Sequence, residues 1–198
     1  VVTPEMIEES KHLLDAMGVP TVQAKSEGEA QCARICLDGK AFATVSQDFD
    51  SLLFGSPRTL RNLSIARSET LQLAELAKQR LSREQLILIG ILVGTDYNVG
   101  GVNGIGPKKA LSLVEKHKTL EEIKKHIEWK FDMEPETLFG FFMNPPVERD
   151  YKIEFGRPDR EKVREILCEK HDFSEDRVKN TLDKLEEKKG TQTSLMGF

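Results

Sequence analysis

Ala41-Phe42-Ala43-Thr44-Val45-Ser46-Gln47-Asp48-Phe49-Asp50 decides how the chain folds. Residues 41–45 read as a near-continuous apolar run of strand length, the pattern of a strand covered on both faces, and the run breaks at once into a polar turn carrying two aspartates. Upstream, Ser26 and Glu29 have capping-box spacing for a helix that carries Ala30, Ala33, Ile35 and Leu37 and stops at Gly39. Val19–Val22 before it and Thr59–Ile65 after it read as further strands. Strand, helix, strand in this order predicts an α/β fold, part of a parallel, helix-covered sheet. Ligands of such sheets bind beyond the carboxyl ends of the strands, which is where Asp48 and Asp50 fall.

Two more acidic clusters sit where apolar runs give way to turns: Glu27-Gly28-Glu29 and, in Gly94-Thr95-Asp96-Tyr97, Asp96. Five carboxylates placed in this way, Glu27, Glu29, Asp48, Asp50 and Asp96, can converge at the edge of a core. Hard divalent cations take oxygen ligands, and two ions roughly 3.5–4 Å apart clamp both oxygens of a phosphodiester displacement. The acids therefore predict a two-ion Mg²⁺ site, with Mn²⁺ as the alternative. Each acid also has a purely structural role open to it. Glu29 is placed to bond the Ser26 amide as the fourth residue of a capping box, and Asp96 to fix a turn.

From about residue 80 the pattern turns helical. Ser82 and Gln85 form a second capping pair, opening an apolar helix that ends at Gly94. Thr95–Gly106 holds four glycines and two asparagines in twelve residues, so it predicts a two-turn connection into the helix that begins at Pro107. Gly104 and Gly106 with Lys108 and Lys109 make the start of that helix a candidate phosphate cradle, where exposed amides meet an oxygen and the lysines add charge. A third helix is expected from the capping pair Thr119 and Glu122, a strand at Tyr151–Phe155, and helices from Arg160 and Glu175. At the other end, Thr3 and Pro4 open an amphipathic helix that stops at Gly18. These elements divide the chain into an α/β core (1–80), a helix–two-turns–helix region (81–158), terminal helices (159–190) and a tail (191–198).

Composition sets looser bounds. With 198 residues, 38% apolar content and a net charge of −4, a modest core is within reach, and nucleic-acid binding is neither announced nor excluded, because a metal site's acids offset basic residues elsewhere. Three cysteines are too few for a disulfide framework, which predicts a reducing, intracellular setting. The longest apolar run, Leu86–Val93, is too short to cross a membrane.

Taken together, Ser-Glu-Gly-Glu-Ala (26–30), Gln-Asp-Phe-Asp-Ser (47–51), Gly-Thr-Asp-Tyr-Asn (94–98) and Gly-Ile-Gly-Pro-Lys-Lys-Ala (104–110) resemble the flap endonuclease family, its archaeal members most of all. The resemblance implies a structure-specific 5′ flap endonuclease and 5′→3′ exonuclease that cuts flapped or nicked double-stranded DNA in replication and repair. Carried over by position, Glu27, Glu29, Asp48, Asp50 and Asp96 match the family's metal-coordinating acids. Thr95–Lys109 matches its helix–two-turns–helix element, with K⁺ as a further ion there. The terminal Gln192, Leu195 and Phe198 resemble a sliding-clamp box, shortened to one final aromatic. The family's N-terminal half supplies two more aspartates, a lysine, an arginine and an arch over the flap. The chain is thus expected to be either a piece of a longer polypeptide or one half of a split enzyme, with a separate N-terminal half as partner. The alternatives are a non-catalytic DNA-binding and clamp-docking module, or a repair nuclease of the same superfamily.

Overall fold

The computed structural model describes residues 2–47, 49–62, 72–75 and 81–188. Asp48, part of the expected 59–65 strand, and the tail residues Gln192, Leu195 and Phe198 lie outside the described residues. The elements run α1 (Pro4–Ala16), α2 (Gly28–Leu37), β1 (Thr44–Val45), α3 (Asp50–Leu53), β2 (Arg58–Arg61), β3 (Gln72–Glu75), α4 (Arg83–Val93), α5 (Pro107–His117), α6 (Leu120–Lys124), α7 (Pro135–Met143), α8 (Arg160–Arg164) and α9 (Glu175–Lys188). They form two compact units, Ala24–Glu148 and the two ends of the chain, Val1–Gln23 with Arg149–Phe198.

In the unit built from the ends, Thr3 caps α1 by accepting from the Met6 amide at 3.3 Å, and Pro4 takes the first helical position. The expected strand at Val19–Val22 does not form. Val19 N–H is spent on Leu14 O at 2.8 Å, Pro20 has no N–H to give, and Gly18 O accepts from Gly156. Gly18 has φ +70°, and a Cβ there would stand 2.4 Å from Gly156 O, so only glycine fits. The expected strand at Tyr151–Phe155 is likewise absent. That stretch leads into single hydrogen bonds, Gly156 to Gly18 and Asp159 to Ala16, that tie it to the end of α1 instead of a sheet. Asp159 caps α8, which continues into a π-helical turn, Glu165–Lys170. Ala16, Val163, Ile166, Val178 and Leu182 form the unit's core.

The unit Ala24–Glu148 carries the three-stranded sheet, in the order β1-β2-β3. β1 and β2 are parallel, with Thr44 opposite Thr59, and β3 pairs antiparallel with β2. The α/β fold class is as the sequence implies, but the strands are shorter than expected. Arg58 takes the Phe42 carbonyl with its guanidinium (2.7 Å) and lies over the Phe42 ring, so the first part of the 41–45 run meets a side chain and not a strand. β2 stops where Asn62 turns to φ +64°. Helix α4 is the axis of this unit. Ser82 and Gln85 close a capping box at its start, and its sides are apolar all round. Ile87 and Ile91 pack with Ala30 and Ala33 of α2, Phe54 after α3, and Leu138 and Phe142 of α7. Leu88 and Leu92, one step round the helix, pack with Val102, Ile105, Ala110, Val114 and Ile123. Each buried Leu, Ile, Val or Phe among them contributes about 1.5–3 kcal/mol, so α4 fixes both the acidic turns and the two-turn connection to one support.

Candidate functional site

Four of the five predicted acids line one cavity of about 60 Å³, with Tyr97, Phe54 and Phe142 as its remaining walls. They arrive from three places in the sequence. Glu27 stands at the N-cap of α2 and Glu29 in its first turn; Asp50 opens α3, just past β1; Asp96 follows the end of α4. The cavity has room for a few water-sized particles and not for a nucleotide. The Ser26–Glu29 capping box is a correction. Glu27, not Ser26, is the cap residue of α2, and no side-chain bond caps that helix, so Glu29 lines the cavity without the capping partner its spacing offered.

The loop that carries Asp96 is built tightly. Asn98 is buried; its Nδ2 donates to Ile91 O at 2.7 Å, while its Oδ1 accepts from Thr95 N (3.1 Å) and Thr95 Oγ1 (2.7 Å). Tyr97 N–H turns back to Thr95 Oγ1. The Tyr97 ring meets Phe141 edge-on at 4.9 Å and Phe142 at 6.1 Å, and its hydroxyl donates to Glu27 Oε1. Burial above all, then that bond and the charges of Glu27, Asp96 and Asp50, hold the phenol well above its ordinary range. The hydroxyl therefore stays a donor. Arg83 holds the Phe54 and Phe142 side of the cavity, its guanidinium donating to Leu53 O (2.9 Å), Phe142 O (2.6 Å) and Met143 O (3.3 Å). This one side chain fixes the residue before Phe54 and the end of α7 together.

Oxygen-only donors against an aromatic wall suit a hard divalent cation such as Mg²⁺ or Mn²⁺. Among the described residues, no three acids are grouped closely enough to hold an ion as they stand. Glu27 has one oxygen engaged by Tyr97, and Asp48 is not among the described residues.

Beyond Asp96 the two turns fold back on α4. Val102 N donates to Leu92 O at 2.9 Å, and Gly101, at φ +63°, lies so close that a Cβ would stand 2.2 Å from the Val93 carbonyl. Gly104 (φ +71°) and Gly106, the N-cap of α5, are exposed together with Lys108 and Lys109. Lys109 bends back to Gly104 O at 3.2 Å, bracing the turn, and Lys108 projects from the exposed first turn of α5. Exposed backbone and two lysines thus stand together at the start of α5. No helix among the described residues is long and apolar enough to cross a membrane.

Tyr97, Asn98 and Arg83 brace the cavity, and their sequence positions alone gave them no role. Tyr97 and Asn98 were in view beside Asp96, and an Asn three residues after a Thr is a recognisable loop lock. Nothing local marks Arg83, whose partners lie 30, 59 and 60 residues away.

The chain carries the signature of the XPG class over part of its length: the XPG I-region family model matches residues 18–96. Within that class the chain belongs to the flap endonuclease family. It is 52% identical over 199 residues to Flap endonuclease 1 of Staphylothermus marinus, a match taking in 92% of this chain and 57% of that protein. Among solved structures it is similar to flap endonuclease-1 from Methanococcus jannaschii, with TM-score 0.85 and 40% identity over 97% of this chain and 60% of that one. The catalytic core of Rad2 in complex with a DNA substrate shares the fold at TM-score 0.81 and 22% identity, over 93% of this chain and 71% of that one. The chain thus spans less than two thirds of the length of the flap endonucleases it matches.

Proposed function

We propose that this chain forms the metal-holding and duplex-gripping part of a structure-specific 5′ flap endonuclease and 5′→3′ exonuclease that hydrolyses branched DNA in replication and repair. The observation that carries the reading is the convergence of Glu27, Glu29, Asp50 and Asp96 from three turns on one cavity, beside a helix that also leads into the Gly104–Lys109 turn. Asp48 joins this set by its position two residues before Asp50. Glu27, Glu29, Asp48, Asp50 and Asp96 would hold two Mg²⁺ or Mn²⁺ ions, which would supply charge neutralisation at the scissile phosphate and lower the pKa of a water. The chain's own carboxylates hold and orient, and the aromatic wall of Phe54, Tyr97 and Phe142 keeps bulk water from their inner side. Gly104, Gly106, Lys108 and Lys109 grip a phosphate of the duplex, with K⁺ as a further ion at the same turns.

Full activity requires the portion of the relatives that this chain does not span, supplied in the same or a separate polypeptide. The tail residues Gln192, Leu195 and Phe198 dock on a sliding clamp, the two apolar side chains entering a groove and the glutamine serving as a polar hook. One observation favours the non-catalytic alternative: among the described residues, no three acids form a ready ion cage. Mixing the chain with the portion of the Staphylothermus marinus relative that it does not match decides between the two. Mg²⁺-dependent cutting of 5′-flapped DNA in preference to intact duplex is expected. DNA binding without cutting by that mixture leaves the module reading.

A further inference from the structure

We infer that Tyr97 is a positioning residue that sets Glu27 for the cation, an inference that rests on the carboxylate reading above. Glu27 and Tyr97 are 70 residues apart in the chain and belong to different turns, yet the phenol hydroxyl meets Glu27 Oε1 directly at the wall of the cavity. Both ends of the tyrosine are constrained. Its backbone amide is bonded to Thr95 Oγ1 (3.3 Å), inside the loop that Asn98 locks, and its ring sits edge-on to Phe141 with Phe142 behind. A ring held in this way can place its oxygen in only one position. The carboxylate it meets has no such support of its own, because α2 is uncapped at Glu27 and the side chain must choose among rotamers. One bond from a fixed donor selects a rotamer and occupies Oε1, which leaves Oε2 outside that bond on a residue that lines the cavity.

A bare glutamate beside Glu29, Asp50 and Asp96 would otherwise swing outward to relieve charge repulsion. The tyrosine opposes that swing through a neutral donor, so it adds no positive charge to compete with a cation. Partners of this kind orient metal-binding carboxylates, and losing one commonly weakens ion binding 10- to 100-fold. Phenylalanine at 97 keeps the ring contacts and removes only the oxygen.

The test is a double-mutant cycle on the 198-residue chain, read as Mn²⁺ affinity by electron paramagnetic resonance, with unfolding midpoints recorded for each protein. Tyr97→Phe is expected to weaken Mn²⁺ binding about tenfold with little change in midpoint. In a Glu27→Ala background the same substitution is expected to change nothing further. An equal loss in both backgrounds overturns the inference, since the hydroxyl would then act through something other than Glu27. Unchanged or tighter binding by Tyr97→Phe also overturns it, because the tyrosine would be idle or a competitor of the ion. Asp50→Ala separates the two levels of the argument. If it weakens Mn²⁺ binding while Tyr97→Phe does not, only the tyrosine's role fails; if the parent chain binds no Mn²⁺, the carboxylate reading fails with it.

Discussion

Asn98 Nδ2 donates to the carbonyl of Ile91 at 2.7 Å, so the turn that presents Asp96 is stitched to the last turn of the helix it leaves. The same side chain accepts two bonds from Thr95. Replacement by Ala strands the Ile91 carbonyl and the Thr95 amide in a buried setting. Asn98→Ala should therefore cost about 2–3 kcal/mol of stability, measured by urea unfolding. Asn98→Asp keeps both acceptor bonds but loses the donor and adds a charge beside Asp96, so it should be at least as damaging.

Glu29 tests whether this acid works on the helix or in the cavity. With no capping bond at α2, Glu29→Ala should leave the unfolding free energy within about 0.5 kcal/mol of the parent. Mg²⁺-dependent turnover of the complemented protein should fall by more than about 100-fold, beyond the loss typical of an indirect partner. Exposed Asp15 of α1 is the control and should change neither. A large stability loss with activity kept would return Glu29 to the role of a cap.

The cradle makes a prediction about salt. Lys108→Ala and Lys109→Ala should each lower the slope of log K against log salt by about 0.9 for duplex binding, with no change in sequence preference. Lys109 also braces Gly104, so its loss should cost more affinity at low salt than that of Lys108. A changed sequence preference at constant slope would contradict a backbone-reading turn.

His117 and His126 stack with ring centroids 4.0 Å apart at the junction of α5 and α6. Partial burial, then the neighbouring His126 and Lys116 charges, set the His117 pKa below its ordinary value. A base whose folded pKa is depressed binds its proton more readily when unfolded. Stability is thus present above the ordinary histidine range near 6.5 and declines as pH falls below it. His126→Gln should lessen that decline between about pH 7 and 5, as read by unfolding midpoints across the range.

Signals that act over a few residues were legible. Thr3 with Pro4, the Ser82–Gln85 box, Thr119, and the glycine-rich turns into α5 are all where local chemistry puts them. Signals that depend on distant partners were not. β3 and α7 carry no periodic pattern of their own that announced them, and the polar end of α2 started at Glu27 although Ser26 had the better capping chemistry. The expected 41–45 strand lost its first residues to Arg58, and the expected 19–22 strand lost its hydrogen bonds to the end of α1. At the site, residue types in short motifs pointed to the four acids that share the cavity. The hydroxyl of Tyr97 and the guanidinium of Arg83 could be assigned only once the chain was folded, because their partners are 30 to 70 residues away.

The central claim is that these carboxylates act on a phosphodiester through divalent ions, and Asp50→Ala tests it most directly. The measurement is single-turnover cleavage of a 5′-flapped duplex in Mg²⁺ by the chain complemented with the unmatched portion of its Staphylothermus marinus relative, with DNA affinity determined alongside. The parent mixture should cut, and the Asp50→Ala mixture should bind the DNA as well or more tightly, one negative charge fewer facing the phosphates, while cutting at least about 100-fold more slowly. Equal cleavage by the two would contradict the account.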